Sequence, residues 1–250
     1  MGRRGRRQDG WAGRCAPAVL LAPVVLALLL LLPRAAAAQE CRLALLLALD
    51  VSASVDTEEY ALQRDGLAAA LNDPDIRQVI LLGGAPVALA AYEWSGRYQQ
   101  AVILPWMMLG SDADIDRAVA RIGGATRSHE GFPTAAGYAL GYAAGLLAEA
   151  PPCDRQVIDV SGDGINNEGF SPALAYAHFP LAEVTVNGLA VSGPDSAVVS
   201  FYEGELIRGP GAFVQVAQGF ADFRRAMTLK LFRELNDMRL GSAGGTRCCG

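Results

Sequence analysis

The sequence predicts an α/β fold: a doubly wound, Rossmann-like sheet, mostly parallel with one antiparallel edge strand, and helices on both faces. Three observations predict it. The runs RLALLLALD (42–50) and DRQVIDVSGDG (154–164) stay apolar until they reach a polar turn, as strands buried on both faces do. Strand-like and helix-like segments alternate along the chain, the pattern of a parallel sheet with crossover helices. One connection, SGRY (95–98), is too short for a crossover, so the strands beside it run antiparallel.

The elements follow in order. After the first strand, a helix spans about 57–71, with Asp56 or Thr57 able to cap it and Asn72-Asp73-Pro74 stopping it. PVALAAYEW (86–94) and QQAVILPW (99–106) are the antiparallel pair. SDADIDRAVARI (111–122) is a capped helix, and FPTAAGYALGYAAGLLAEA (132–150) is a second, rich in small residues. The fourth strand, DRQVIDVSGDG, precedes SPALAYAHF (171–179), which starts as a helix with Pro172 in its first turn. EVTVNGLAV (183–191) and GAFVQVA (211–217) are the fifth and sixth strands, β-branched and bounded by Gly or Pro. DFRRAMTLKLFREL (222–235) is the final helix, and the tail GSAGGTRCCG (241–250) is expected to be disordered.

The first 38 residues stand apart from this fold. MGRRGRRQDGWAGR is basic, APAVLLAPVVLALLLLLP is apolar, and RAAAAQE offers a small-residue cleavage point, the order of a secretory signal peptide cut after Ala38. The apolar core is short for the roughly 20 residues of a membrane span, and Pro23 and the alanine run favour processing over a retained anchor. The arginine pairs suit either general or twin-arginine export. The expected destination is periplasmic or secreted, with no membrane span in the mature chain. Of the 21 basic and 26 acidic residues, six arginines and one aspartate lie in the leader, so 39–250 carries a formal net charge of about −10. Nucleic acid is excluded as an expected partner. An exported chain meets an oxidising compartment, where Cys41, Cys153, Cys248 and Cys249 can pair.

Ligands of such sheets bind outside the carboxyl ends of the strands, and Asp50 and Asp163 both fall there. If the chain stays extended beyond the first strand, Asp50, Ser52 and Ser54 face one side. One carboxylate and two hydroxyls are hard oxygen donors, suited to magnesium or calcium. Thr134, near the start of its helix, and Asp163, in the turn SGDG, can add more. Taken singly, each has a blander role: Asp50, Ser52, Ser54 and Thr134 as helix caps, and Asp163 as a turn residue. Their joint order carries the metal reading. His129 and His178 are the only histidines, too few for a zinc site without a cysteine pair nearby.

The D-x-S-x-S after an apolar strand, a Thr before a small-residue helix and an Asp-Gly after a later strand together resemble a von Willebrand factor A (VWA) domain and its metal-ion-dependent adhesion site. The resemblance covers nearly all of 42–235. The wording DVSASVD, EYALQRDGLAAAL, EWSG, VIDVSGDG, NNEG and VTVNGLAV is also similar to a secreted bacterial group of such domains without characterised function. It implies sheet order 3-2-1-4-5-6. It also implies a metal held by Ser52 and Ser54 directly, by Asp50 partly through water, by Thr134 in a second loop and by Asp163 in a third. The turn DVSGDGINNEG is longer than the common pattern, so spacing leaves Asp159 or Asp163 as the third-loop ligand. Asp163 is favoured because Asp159 falls inside the strand. Asn166, Asn167 and Glu168 shape the rim. The implied strand order places Cys41 and Cys153 at the opposite end of neighbouring strands, and a disulfide between them is expected.

The expected function is a non-enzymatic adhesion or assembly module. It would capture a Glu or Asp of a protein partner through Mg2+, or through Mn2+ or Ca2+. Two alternatives compete. One is a magnesium-dependent phosphohydrolase with Asp50 as nucleophile, against which stands Ser52 where a second carboxylate is commonly needed. The other is a structural exported domain that leaves its metal site unused. Partner and oligomeric state are not legible in the sequence.

Overall fold

The computed structural model describes residues 1–2, 41–192 and 197–241. The signal peptide, its cleavage point at Ala38, Cys248, Cys249 and the tail beyond Gly241 lie outside the described residues.

Six strands form one sheet: β1 (Leu43–Asp50), β2 (Val87–Trp94), β3 (Gln100–Leu109), β4 (Gln156–Gly162), β5 (Thr185–Ser192) and β6 (Val214–Gln218), in the order β3-β2-β1-β4-β5-β6. Among the described residues, β2 and β3 are the only two of these strands that pair antiparallel. The α helices are α1 (Thr57–Leu71), α2 (Pro74–Leu81), α3 (Asp112–Gly123), α4 (Ala136–Ala148), α5 (Pro172–His178), α6 (Ala197–Phe201) and α7 (Phe223–Gly241). No helix among the described residues is long and apolar enough to cross a membrane.

β1 shows why its sequence does not alternate in polarity. Leu43, Leu45, Leu47 and Leu49 enter one core with Leu67 of α1, Ile76 of α2, Ile115 of α3 and Met227 of α7. Leu46 and Ala48 enter the other, with Leu140 and Ala143 of α4 and Ala175 of α5. Successive side chains of a strand point to opposite faces, so a central strand covered by helices on both sides is apolar throughout.

The structure departs from the sequence expectation in four places. Asn72-Asp73-Pro74 ends α1 but also starts α2, because the Asp73 carboxylate accepts from the Asp75 amide and Pro74 sits in the first turn. β3 continues to Leu109, and a register shift opposite Ala90 accommodates Pro105, which an edge strand tolerates at a bulge. α4 begins at Ala136, four residues later than expected, so Thr134 lies in the loop before it. α6 leads directly into a π-helical turn, Tyr202–Leu206, where no element was expected.

Cys41 and Cys153 form a disulfide with their Cα atoms 4.3 Å apart, joining the amino-terminal ends of β1 and β4. It closes a loop 112 residues apart in sequence, a constraint worth about 5 kcal/mol in the chain-entropy model. Beside it, Arg42 is buried and donates to the carbonyls of Val79, Ala85 and Leu235 at 2.9–3.0 Å. Its positive charge meets the negative end of α2.

Candidate metal centre

The first loop leaves β1 at Asp50, whose carbonyl accepts from Gln63 Nε2 of α1 at 2.9 Å. The Ser52 amide donates to Asp50 Oδ1 at 2.8 Å, folding the chain so that the Ser52 and Ser54 hydroxyls come within 3.2 Å of each other. Asp56 then closes the loop by capping α1. Its carboxylate accepts from the Glu59 amide, and its own amide donates to the Glu59 carboxylate.

Thr134 comes to this loop from a second loop that is tied to the end of β2. The Ala135 amide donates to the Ser95 carbonyl at 2.8 Å and the Ala53 amide to the Phe132 carbonyl at 2.7 Å, tying the loops together. Thr134 Oγ1 donates to Ser52 Oγ at 3.1 Å. Asn167 Oδ1 accepts from the Thr134 amide at 2.9 Å. Asn166 Oδ1 accepts from the Gly137 amide at 3.3 Å, supplying the cap that Ala135 lacks. Glu168 lies 3.5 Å from Arg97 at the rim.

Asp163 comes from the third loop, immediately beyond β4. Its Oδ1 accepts from Ser54 Oγ at 2.7 Å. Asp50, Ser52, Ser54, Thr134 and Asp163 are thus brought together, the last four in one continuous chain of side-chain hydrogen bonds. Asp159 is elsewhere. It points to the α7 face, where buried Lys230 lies 2.8 Å away and also donates to Glu234 at 2.6 Å. Asp159 lies mid-strand on the same face as Val157, which packs on the α7 side, whereas Asp163 lies beyond Gly162, the last residue of β4, where the turn brings it to Ser54.

The cluster is electrostatically incomplete in a way that suits a cation. Asp50 is fully buried, and its Oδ2 has no hydrogen-bond donor from the protein. Burial, followed by the negative charge of Asp163, lifts its carboxyl to about 7. Burial also raises Asp163, against the opposing hydrogen bond from Ser54. A buried carboxylate oxygen without a partner is costly, and a cation held by oxygen donors removes that cost. Three hydroxyls and two carboxylates match the hard-cation donor set. Among the described residues no group of three His, Cys, Asp or Glu side chains is placed to hold a metal ion, so the hydroxyls have to complete the donor set here.

The scaffold behind the site was not singled out in the sequence. Glu93, buried in β2, accepts from Tyr60 Oη at 2.7 Å and from the Ser128 amide at 2.7 Å. Arg127 Nη2 donates to the carbonyls of Val51 and Ser52, each at 3.0 Å. Together they fasten the 127–134 loop to the first loop. A signal existed: Glu93 is the one charge in PVALAAYEW. Phe132 and Ile165, on the loops that carry Thr134 and Asp163, keep large apolar side chains exposed.

A family model described as "Protein of unknown function (DUF1194)" matches residues 40–239. No curated protein matches the sequence. Solved structures share the fold at low identity. One is mussel byssus proximal thread matrix protein 1 with a zinc-occupied MIDAS motif, at 15% identity over 78% of this chain and 46% of that one, with a TM-score of 0.56. A von Willebrand factor type A structure from Catenulispora acidiphila matches at 13%, over 78% and 43%, with a TM-score of 0.57. The PilB minor pilin of Streptococcus sanguinis matches at 12%, over 82% and 64%, with a TM-score of 0.58. The chain spans about half the length of the first two. The fold is VWA-like, with the strand order the resemblance implied.

Proposed function

We propose, from the premise that this chain belongs to the DUF1194 family of proteins of unknown function, that it is an exported protein-binding module. It would capture a Glu or Asp of a partner through a divalent cation held by Asp50, Ser52, Ser54, Thr134 and Asp163. The observation that carries this reading is the convergence of five oxygen-bearing side chains from three loops, with Asp50 buried and one of its carboxylate oxygens unpartnered.

Asp50 and Asp163 bring two formal negative charges, which balance a divalent cation, and the three hydroxyls add none. When bound, the cation supplies a Lewis-acidic position that a carboxylate of another protein can join without any bond breaking. Mg2+ fits the all-oxygen donors, with Mn2+ and Ca2+ as related hard cations. Phe132 and Ile165 offer apolar contact beside the captured carboxylate. Catalysis is disfavoured because Ser52 stands where a second carboxylate is commonly required for acid–base work. The relatives that share the fold include a thread matrix protein and a minor pilin, which supports an interaction role. The Cys41–Cys153 disulfide supports export to an oxidising compartment.

The test is a pull-down from periplasmic extract with Mg2+ or with chelator, run beside calorimetric titration of Mg2+, for the wild type and Asp50→Ala. Loss of both Mg2+ binding and chelator-sensitive capture in the variant supports the mechanism. Capture that survives the substitution rejects it.

A further inference from the structure

We propose that Tyr202 is a positioning residue of the metal centre: its phenol holds the inward oxygen of Asp50, Oδ2, in place for the cation. The inference rests on the metal reading above and extends it to a residue about 150 positions from Asp50, on an element that no part of the metal motif predicts.

The geometry has three parts. Tyr202 opens the π-helical turn that follows α6, and its carbonyl accepts from the Ile207 amide at 3.0 Å. Single π turns inside helices recur at functional sites because they re-aim a side chain. The Tyr202 ring lies against the sheet over β5 and is 1% exposed. A Cβ on Gly188 would come within 2.4 Å of its Cδ1, so only glycine lets the ring lie there. Its hydroxyl then reaches β4 at Gly162. A Cβ on Gly162 would stand 3.0 Å from Tyr202 Oη and 2.7 Å from Asp50 Oδ2. Two glycines on neighbouring strands clear a path from the π turn to the aspartate, and the phenol and the carboxylate oxygen face the same small space above Gly162.

Polar chemistry gives that arrangement a role. A buried phenol is a hydrogen-bond donor that needs an acceptor, and a buried carboxylate oxygen is an acceptor that needs a donor. Asp50 Oδ1 is already held by the Ser52 amide, so Oδ2 is the free end of the carboxylate. The two atoms lie within reach of one bridging water. A carboxylate fixed at both oxygens presents one orientation to a cation, and partners of this outer kind commonly contribute 10–100-fold to metal affinity.

The test is Tyr202→Phe, which keeps the ring and its packing and removes only the hydroxyl. Mn2+ affinity is read from the electron paramagnetic resonance signal of free Mn2+, and the metal-free thermal midpoint is recorded beside it. The expected result is a roughly 10–100-fold weaker Mn2+ affinity with a metal-free midpoint within a few degrees of wild type. Equal affinities in a wild type that binds Mn2+ overturn the role of Tyr202 and leave the metal centre standing. A wild type that binds no Mn2+ overturns both. Should the variant melt early, wild-type protein labelled with 13Cζ-tyrosine answers the same question. Movement on adding Mg2+ of the Tyr202 signal, assigned by its absence from the Tyr202→Phe spectrum, supports the coupling, and an unmoved Tyr202 signal overturns it.

Discussion

Ser54 donates a 2.7 Å hydrogen bond to Asp163 across 109 positions of sequence. That contact joins the loop after β1 to the loop after β4, strands that lie side by side in the sheet. Ser54→Ala and Asp163→Asn are each expected to weaken Mg2+ binding at least tenfold. Because the two side chains touch, the double variant should lose less than the product of the single losses. Calorimetric titration of all four proteins measures the cycle.

Thr134 enters the same chain of hydroxyls by donating to Ser52 at 3.1 Å. Thr134→Val keeps the shape and removes the oxygen donor. The expected outcome is weaker Mg2+ binding with the metal-free midpoint changed by only a few degrees, read from melts with and without Mg2+. Wild-type protein should gain stability with Mg2+ by mass action, and the variant should gain less.

The disulfide lies at the other end of the strands from the site, with Cys41 nine residues before Asp50. Replacing both Cys41 and Cys153 by serine is expected to cost roughly 2–5 kcal/mol of stability. Mg2+ affinity of the folded variant should stay within about twofold. Denaturant unfolding and metal titration separate the two effects.

Most of the fold was legible because its strands are buried on both faces and its helices are punctuated. RLALLLALD admits no half-exposed strand, and SGRY admits no crossover. α2 was hidden because Asn72-Asp73-Pro74 reads as a stop, whereas Asp73 and Pro74 also begin the next helix. The five oxygen-bearing residues could be picked out because each sits just beyond a strand or before a helix. Of the scaffold, only Glu93 leaves a mark in the sequence, as the one charge in its strand; Arg127 and Tyr202 meet the site through contacts between elements distant in sequence. Spacing separates Asp159 from Asp163 only in part, because the two share one strand parity; the end of β4 at Gly162, between them, leaves Asp159 in the sheet and frees Asp163 for the loop.

Lys230 is buried between Asp159 and Glu234, and Glu234 also accepts from Asn187 at 2.7 Å. Lys230→Met would leave two buried carboxylates without their cation. The expected loss is about 3–5 kcal/mol in denaturant unfolding. Adding Asp159→Asn and Glu234→Gln to that variant should recover much of it, since no uncompensated charge then remains.

The same group sets a pH dependence. Burial lifts Asp159 to about 7, with Glu234 adding to the rise and Lys230 opposing it. The folded chain therefore keeps a proton that the unfolded chain, with a carboxyl near 4, has released. The stability from this group is fully present below about pH 4 and is lost as the pH rises through about 7. Between about pH 5 and 8, the metal-free wild type should lose more stability than Asp159→Asn, as measured by parallel melts.

The proposed function requires one divalent cation among the oxygens of Asp50, Ser52, Ser54, Thr134 and Asp163. Crystals of the protein grown with Mn2+ and measured for anomalous scattering test it most directly. A cation held there gives a single strong anomalous peak bonded to the Ser52 and Ser54 hydroxyls beside Asp50 and Asp163. A protein saturated with Mn2+ that shows no peak there, or shows its strongest peak elsewhere, would contradict it.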